Sequence, residues 1–161
     1  MAELQGSHVL IIGGSSGIGF EVAQHAGMEG AILTLMGRNQ TRLEEARALL
    51  SAQGIKVNEL IACDAHDHTA LTDCFTEISS FDHLVSMVGD AMGGGFLAAD
   101  MSTIEQVIHS KCLTNILIGK LAAKKLREGG SITFTSGTGE GRSMRAQAIS
   151  GILLFKRWLK D

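Results

Sequence analysis

The chain has 161 residues, of which 45% are hydrophobic and 19% charged, and its formal net charge at pH 7 is -3. This length fits one packed domain. The negative charge excludes the broad basic surface that binds nucleic acid, and the longest apolar runs are far short of the roughly 20 residues that cross a bilayer. We therefore expect one cytoplasmic domain over residues 1–161, with neither nucleic acid nor membrane among its partners.

Five short apolar runs alternate with longer stretches of helical periodicity. The runs predict strands, in chain order HVLII, AILTLM, KVNELIA, HLVSMV and SITFT, and the stretches predict helices at 18–28, 40–52, 68–79, 102–127 and 142–160. Ser102 followed by Glu105 has capping-box spacing, which predicts a helix start near Ser102. The repeated β-α order predicts an α/β fold, a doubly wound parallel sheet between two helix layers.

A glycine-rich turn, GGSSGIG, follows the first predicted strand and opens the first predicted helix. Gly13, Gly17 and Gly19 let the backbone approach a pyrophosphate closely, and the helix N-terminus offers unpaired N–H groups and partial positive charge. Ser15 and Ser16 add hydroxyl donors. A turn needed only for tight packing is the alternative, but strand, glycines and helix coincide as in a dinucleotide site.

The second predicted strand ends in LMGRN, so Arg38 lies roughly 20 residues beyond the glycines, where a dinucleotide's adenosine ribose is bound. An acidic residue there favours a free 2′-hydroxyl. The planar guanidinium of arginine instead fits a 2′-phosphate with two hydrogen bonds. Unless Arg38 is only a solvated loop residue, the sequence predicts NADP (NADPH) rather than NAD.

No metal site is predicted. His66, Asp67 and His68 follow Asp64 on one loop, but consecutive loop residues do not converge on one ion. The cysteines are odd in number without metal-ligand spacing, which indicates free thiols in a reducing compartment. They are Cys63, Cys74 and Cys112.

These motifs together resemble the short-chain dehydrogenase/reductase family, whose glycine motif reads T-G-x-x-x-G-x-G, with Ile12 here replacing the threonine. In CDAHD, Asp64 matches the family's adenine-contacting aspartate, and LVSMVG stands where members have LVNNAG. The resemblance covers nearly the whole chain and implies a Rossmann-type sheet of order 3-2-1-4-5. The cofactor-binding residues we expect are Gly13, Ser15, Ser16, Gly17, Ile18, Gly19, Arg38, Asp64, Ala65, Val88 and Gly89.

The same resemblance aligns two candidate catalytic residues. Lys111 falls at the helix position where many members carry a catalytic asparagine. Asn115, although an asparagine, does not align with that position. We interpret Lys111 as a salt-bridging helix lysine or as a substitute proton-relay group. Ser136 is the nearest match to the serine that orients the substrate carbonyl, although the family's usual position aligns with Gly137.

The family's Y-x-x-x-K motif is missing, since the expected tyrosine position holds Ile149 and Ser150 and the sequence contains no tyrosine. A phenol tuned toward neutral pH exchanges the proton during hydride transfer. The resemblance therefore leaves three hypotheses open: an NADP-dependent oxidoreductase acting on a carbonyl or alcohol, a redox-inactive cofactor-binding relative with a regulatory, structural or non-redox role, or a shortened product of a full-length enzyme.

Family members run further, with two more strands and a substrate-binding segment after the tyrosine helix. A sheet ending at its fifth strand leaves an unpaired edge. Members commonly associate through the two long helices that correspond here to 102–127 and the C-terminal stretch. We therefore expect a homo-oligomer, a dimer or a tetramer, with a small-molecule substrate that the sequence does not identify.

Overall fold

The structure is a computed structural model of the chain and describes residues 4–89 and 99–135. The predicted helix at 142–160 and the candidate Ser136 lie outside these residues. The strands are β1 (His8–Ile12), β2 (Ile32–Gly37), β3 (Val57–Ala62), β4 (Phe81–Ser86) and β5 (Leu126–Phe134). The helices are α1 (Gly17–Met28), α2 (Gln40–Ser51), α3 (His68–Glu77), α4 (Met101–Val107), a π-helix (Ile108–Leu113) and α5 (Thr114–Ala122).

The five strands form one sheet of order β3-β2-β1-β4-β5, and every neighbouring pair is parallel. Both the strands and their order were predicted, and both are confirmed. Parallel strands joined by helical crossovers bring all five carboxyl ends to one edge of the sheet. The loops after β1, β2, β3 and β4 therefore meet at that edge.

The core has two layers, one on each face of the sheet. Alternation along β1 divides them, because Val9 and Ile11 belong to one buried cluster while Leu10 and Ile12 belong to the other. The first cluster is closed by α1 and α2 through residues such as Leu43, and the second by α3 and α5. No helix within the described ranges is long and apolar enough to cross a membrane.

The helix predicted at 102–127 differs from prediction at both ends. Asp100 caps it instead of Ser102, because the Asp100 carboxylate accepts the backbone N–H of Thr103 at 2.8 Å, and helix α4 begins at Met101. Ser102 donates its hydroxyl to Asp100 at 3.1 Å and so supports the cap. The far end is earlier, since α5 stops at Ala122.

The chain leaves α5 early because it is anchored beside α3. Lys125 Nζ donates to the carbonyl oxygens of Thr76 at 3.0 Å and Ile78 at 2.9 Å. The backbone N–H of Lys125 returns to Ala122 O at 2.9 Å, which ends the helical turn. β5 then begins at Leu126, five residues before the predicted SITFT run.

The middle of the predicted long helix is a π-helix, Ile108–Leu113. The carbonyl of His109 accepts both the backbone N–H of Thr114 and, at 2.9 Å, its hydroxyl, five residues on. This i→i+5 pattern inserts one extra residue into the turn and re-aims the side chains around it. The π-helix packs beside the end of β4, where the candidate Lys111 lies.

Candidate functional site

A cleft of about 730 Å³ opens at the carboxyl edge of the sheet. Its walls come from the loops that follow β1, β2, β3 and β4, as expected for a ligand site on a parallel α/β sheet. The lining residues are Ile12, Gly13, Ser15, Ser16, Gly37, Arg38, Asn39, Arg42, Cys63, Asp64, Ala65, His66, Met87, Val88 and Gly89.

The glycine turn leaves no room for a side chain at Gly13 or Gly19. Gly13 has φ +85°, and an added Cβ there would lie 3.0 Å from Met87 Cβ. An added Cβ at Gly19 would collide with the carbonyl oxygen of Gly13. Ser16 precedes α1 without a side-chain cap, and the first turn of α1 carries no acidic residue. The first N–H groups of α1 thus have no side-chain cap, and Ser15 and Ser16, directly before the helix, line the cleft.

Two arginines lie on the β2–α2 wall of the cleft. Arg38 follows β2 directly, and Asn39 caps α2 by accepting the backbone N–H of Arg42 at 3.0 Å, which brings Arg42 into the first helical turn on the same wall. Within residues 4–89 and 99–135 neither arginine forms an ion pair. Both guanidinium groups therefore keep their charge available to an anion.

The loop after β3 forms the wall opposite the glycine turn. Asp64 accepts the backbone N–H of His66 on its carboxylate at 3.0 Å and that of Asp67 on its carbonyl at 3.0 Å, so the loop folds tightly around it. Burial, with the adjacent Cys74 side chain as the next cause, raises the pKa of the Cys63 thiol to about 12. Cys63 therefore lines the cleft as a neutral thiol.

The remaining wall is formed by Met87, Val88 and Gly89 after β4, and Lys111 of the π-helix lies behind Gly89. Gly89 has φ +143°, and an added Cβ there would lie 3.0 Å from Lys111 Cγ and 3.4 Å from Lys111 Cε. The lysine stem therefore runs along the bare face of Gly89. Lys111 forms no ion pair with any described residue, so the salt-bridge interpretation finds no partner there.

A buried polar network connects this loop to the π-helix. Ser86, 1% exposed, donates its hydroxyl to Asn115 Oδ1 at 3.1 Å, and Asn115 is 6% exposed. Asn115 Nδ2 donates to Val88 O at 3.3 Å and to Lys111 O at 2.8 Å. The backbone N–H of Val88 donates to Ser86 Oγ at 3.4 Å. The Asn115 amide thus has a partner for each hydrogen and for its oxygen.

Two stacked histidines join α3 to the π-helix. The rings of His68 and His109 lie 4.4 Å apart at 10°, and His68 Nε2 is 3.1 Å from Thr114 Oγ1. Thr114 gives its only hydroxyl hydrogen to His109 O, so neutral His68 carries its proton on Nε2. Burial lowers the pKa of His68, and the charges of His109 and His66 lower it further.

Most of the predicted cofactor-binding residues line the cleft, but three do not. Gly17 lines an adjoining groove between α1 and α2, Ile18 is 72% exposed on another surface, and Gly19 is buried beneath the turn. The sequence reading missed other lining residues, chiefly Asn39 and Arg42. The N-cap signal of Asn39 would have placed Arg42 in the first turn of α2. Among the described residues no group of three or more His, Cys, Asp or Glu side chains is arranged to hold a metal ion.

The parallel sheet of order β3-β2-β1-β4-β5, with its cleft at the carboxyl edge beside a glycine turn, defines a Rossmann-type protein. A family model described as short chain dehydrogenase matches residues 7–148. The chain belongs to that family.

Curated relatives match this chain over part of their own length. The 3-ketodihydrosphingosine reductase of Bos taurus is 27% identical over 143 residues, which cover 83% of this chain and 43% of that protein. The 3-dehydrosphinganine reductase TSC10B of Arabidopsis thaliana is 32% identical over 125 residues, covering 76% and 38%. The short-chain dehydrogenase/reductase fsr5 of Gibberella fujikuroi is 30% identical, covering 86% and 57%. The chain thus spans about half of these relatives or less.

Solved structures share the fold. A short chain dehydrogenase from Mycobacterium smegmatis superposes with a TM-score of 0.85 at 21% identity, covering 95% of this chain and 66% of that one. A short chain dehydrogenase from Burkholderia cenocepacia J2315 in complex with NADP gives a TM-score of 0.82 at 25% identity, covering 97% and 65%.

Proposed function

We propose that this chain binds NADP(H) in the cleft and acts in hydride transfer between the nicotinamide and a carbonyl or alcohol. One observation carries the cofactor proposal: Arg38 and Arg42 line the cleft beside the glycine turn, and neither has an ion-pair partner among the described residues. The NADP complex of the Burkholderia relative supports the same cofactor.

The residues of the cleft fit the parts of a dinucleotide. The pyrophosphate would lie at the N-terminus of α1 against Gly13, Ser15 and Ser16, because unpaired N–H groups and hydroxyls bind phosphate oxygens. The two arginines would hold the 2′-phosphate. Asp64 would face the adenine ring, with Ala65 beside it. Val88 and Gly89 would border the nicotinamide ribose.

The cofactor proposal is tested by titrating the full chain with NADPH and NADH in a calorimeter. We expect NADPH to bind at least about tenfold more tightly, because charge-assisted bonds to the 2′-phosphate are strong. Arg38→Gln and Arg42→Gln should each remove much of this preference while leaving NADH binding unchanged. Arg47→Gln is the matched control, since Arg47 is exposed on the same helix outside the cleft. Equal affinities for both nucleotides in the unaltered chain would contradict the NADP preference.

In the reaction that we propose, NADPH held in the cleft would supply the hydride for a carbonyl carbon, and the chain would supply the proton for the carbonyl oxygen. Lys111, at the Gly89 end of the cleft, would donate that proton from its ammonium group. The hydroxyl of Ser136 would orient the carbonyl oxygen. Reversal of both transfers oxidises an alcohol to the carbonyl.

A second function is supported by one observation, the absence of tyrosine from all 161 residues. Without a phenol to exchange the proton, the chain would bind the cofactor without redox turnover and act as a regulatory, structural or non-redox relative. The two functions share the cleft and differ in the step after binding.

Turnover separates the two functions. We would follow NADPH absorbance with 3-ketodihydrosphingosine as the first carbonyl, because reductases of that name are among the relatives. Consumption of NADPH that falls at least about tenfold in Lys111→Met supports the oxidoreductase with its proton donor. Binding without consumption across a panel of carbonyls supports the redox-inactive function.

We also propose that the chain works as one cytoplasmic domain over residues 1–161 and associates with a second copy. Apolar side chains are exposed along α4, the π-helix and α5, and water-exposed apolar stripes favour association. They are Met101, Ile108, Leu113 and Ile116, at 40% to 65% exposure. Sedimentation velocity should give a dimer or tetramer, and Ile116→Glu should shift it toward monomer. A monomeric unaltered chain would contradict this proposal.

A further inference from the structure

We propose that Asn115 is a positioning residue that holds the backbone and stem of Lys111 beside Gly89, so that the ammonium group reaches a dinucleotide bound in the cleft. This inference rests on the proposed function for the contact with the cofactor. Its other half, the placement of the lysine, is a property of the unliganded chain and is tested separately.

Asn115 is the only described residue whose side chain holds both sides of this end of the cleft. Its Nδ2 hydrogens go in two directions, one to Val88 O before Gly89 and one to Lys111 O in the π-helix. The distance between the β4 loop and the helix is therefore set by one rigid amide group. Aspartate at this position would lack both hydrogens.

Ser86 fixes which way that amide points. Its hydroxyl donates to Asn115 Oδ1, so the oxygen lies on the strand side and Nδ2 is left to meet the two carbonyl groups. With Ser86 at 1% exposure and Asn115 at 6%, water does not compete for these bonds. Buried groups in such networks hold a single geometry, because each unmade bond is costly.

The network acts on Lys111 through its backbone. The Lys111 carbonyl is held at 2.8 Å by the amide, and the stem then lies along Gly89, where any side chain at position 89 would displace it. No described carboxylate pairs with the ammonium. The location of the Lys111 stem therefore depends on the Asn115 amide and on Gly89, which has no side chain, rather than on an ion pair.

One strand-side member of this network departs from the related motif. At the positions where the related motif reads LVNNAG, this chain has Ser86 and Met87. The small serine leaves space beside β4 that the asparagine side chain occupies from the helix. The amide that stiffens this loop is thus supplied from residue 115.

The test is competitive acetylation of the full chain with trace acetic anhydride, reading each lysine by peptide mass spectrometry. Lys120, exposed on α5, is the internal reference. In the unliganded chain, we expect Asn115→Leu to raise the Lys111-to-Lys120 labelling ratio about threefold, because a released stem becomes accessible. In the unaltered chain, NADPH should reduce Lys111 labelling about fivefold or more, and this protection should be lost in Asn115→Leu.

Thr114→Val is the matched control, since Thr114 is the adjacent buried polar residue and bonds to His68 and His109 without touching Lys111. It should leave the labelling ratio unchanged. Equal changes in both variants would reduce Asn115 to a structural role and overturn the proposal, as would an unchanged ratio in Asn115→Leu. If Asn115→Leu does not fold, Ser86→Ala decides, with a smaller rise expected and no rise contradicting the proposal.

Failure of the proposed function gives a different labelling result from failure of the positioning proposal. If NADPH does not bind at all, the cofactor proposal fails, while the unliganded ratio still decides the placement of Lys111. If NADPH binds and leaves Lys111 labelling unchanged, the dinucleotide site stands and the contact proposed for the lysine is wrong.

Discussion

The two ends of the cleft are built from different kinds of groups. At the end beside α1, the walls are a glycine turn and the residues that precede a helix, with Arg38 and Arg42 on the β2–α2 wall. At the end beside the π-helix, the geometry depends on side chains, the buried pair Ser86 and Asn115 and the stem of Lys111. Few substitutions would remove the backbone groups of the first end. At the second end, a single substitution would remove a side-chain contact.

This difference bears on the two steps of the proposed function. The turn before α1 depends on its glycines, so a phosphate site there would not require the threonine that Ile12 replaces. The chemistry at the other end depends on side chains, and there the chain has serine, methionine and lysine where related sequences have asparagine. Binding and turnover are thus separable properties in this fold.

Gly19→Ala should have the largest effect and disable the end beside α1. The new Cβ would collide with the Gly13 carbonyl oxygen, so the turn must open, at a cost of about 3 kcal/mol in unfolding free energy and most of the NADPH affinity. Urea unfolding and calorimetry measure the two losses. Gly119→Ala is the control, since its Cβ would lie 3.6 Å from Phe134 and should stabilise α5 by about 0.5–1 kcal/mol. Similar losses in both variants would mean that any helical glycine is equally sensitive.

Ile118→Ala tests the packing beneath the other end. Ile118 is fully buried on α5, and its truncation should lower the unfolding free energy by about 2–5 kcal/mol with the cavity left behind, at the lower part of that range if the helix relaxes. Ile116, two residues earlier and 40% exposed in the single chain, is the matched site, where alanine should cost less than about 1 kcal/mol when both variants are unfolded at a concentration that keeps the chain monomeric. If the two alanine variants unfolded at the same denaturant concentration, the assigned face of α5 would be wrong.

His68→Gln should have the smallest effect and concerns the stacked histidines that join α3 to the π-helix. The pKa of His68 is lowered in the folded chain, so the unfolded chain takes up this proton first as pH falls below about 6.5. The free energy of unfolding that His68 contributes above that pH is therefore lost on acidification. The His68→Gln variant should lose less free energy of unfolding than the unaltered chain over the same pH range. Thermal unfolding between pH 7.5 and 5 measures the difference.

His25→Gln is the control for that experiment. His25 lies exposed on α1, and no described ring stacks on it. Its replacement should leave the acid-side loss of stability as it is in the unaltered chain. If both variants gave the same pH profile, the stacked pair would not be the source of the effect.

The sequence predicts part of the end beside α1, because that part is local, although Gly17, Ile18 and Gly19 do not line the cleft. Gly13, Ser15 and Ser16 are recognised from their place between a strand and a helix, and Arg38 from its position after the next strand. Each depends on neighbours within a few residues and on the strand order, which hydrophobic alternation and the family resemblance both supply.

The other end was not predictable in the same way. Hydrophobic periodicity does not distinguish a π-helix from an α-helix, since the difference is one hydrogen-bond register at His109. Ser86 and Asn115 are 29 positions apart in the sequence, and no local sequence pattern predicts their hydrogen bond. Asp100, rather than the predicted Ser102, caps the helix, because its carboxylate accepts the backbone N–H of Thr103.

The central position of β1 has a consequence for the order in which the chain acquires its site. β1 pairs with β2 on one side and with β4 on the other, and the turn at Gly13 is completed by Met87, whose N–H bonds to Ile12 O at 2.9 Å. During synthesis, the phosphate-binding turn emerges from the ribosome long before the strand that braces it. Until about residue 87 has been released, β1 remains an unprotected edge. The turn that comes first in the chain therefore becomes rigid only after the fourth strand has formed.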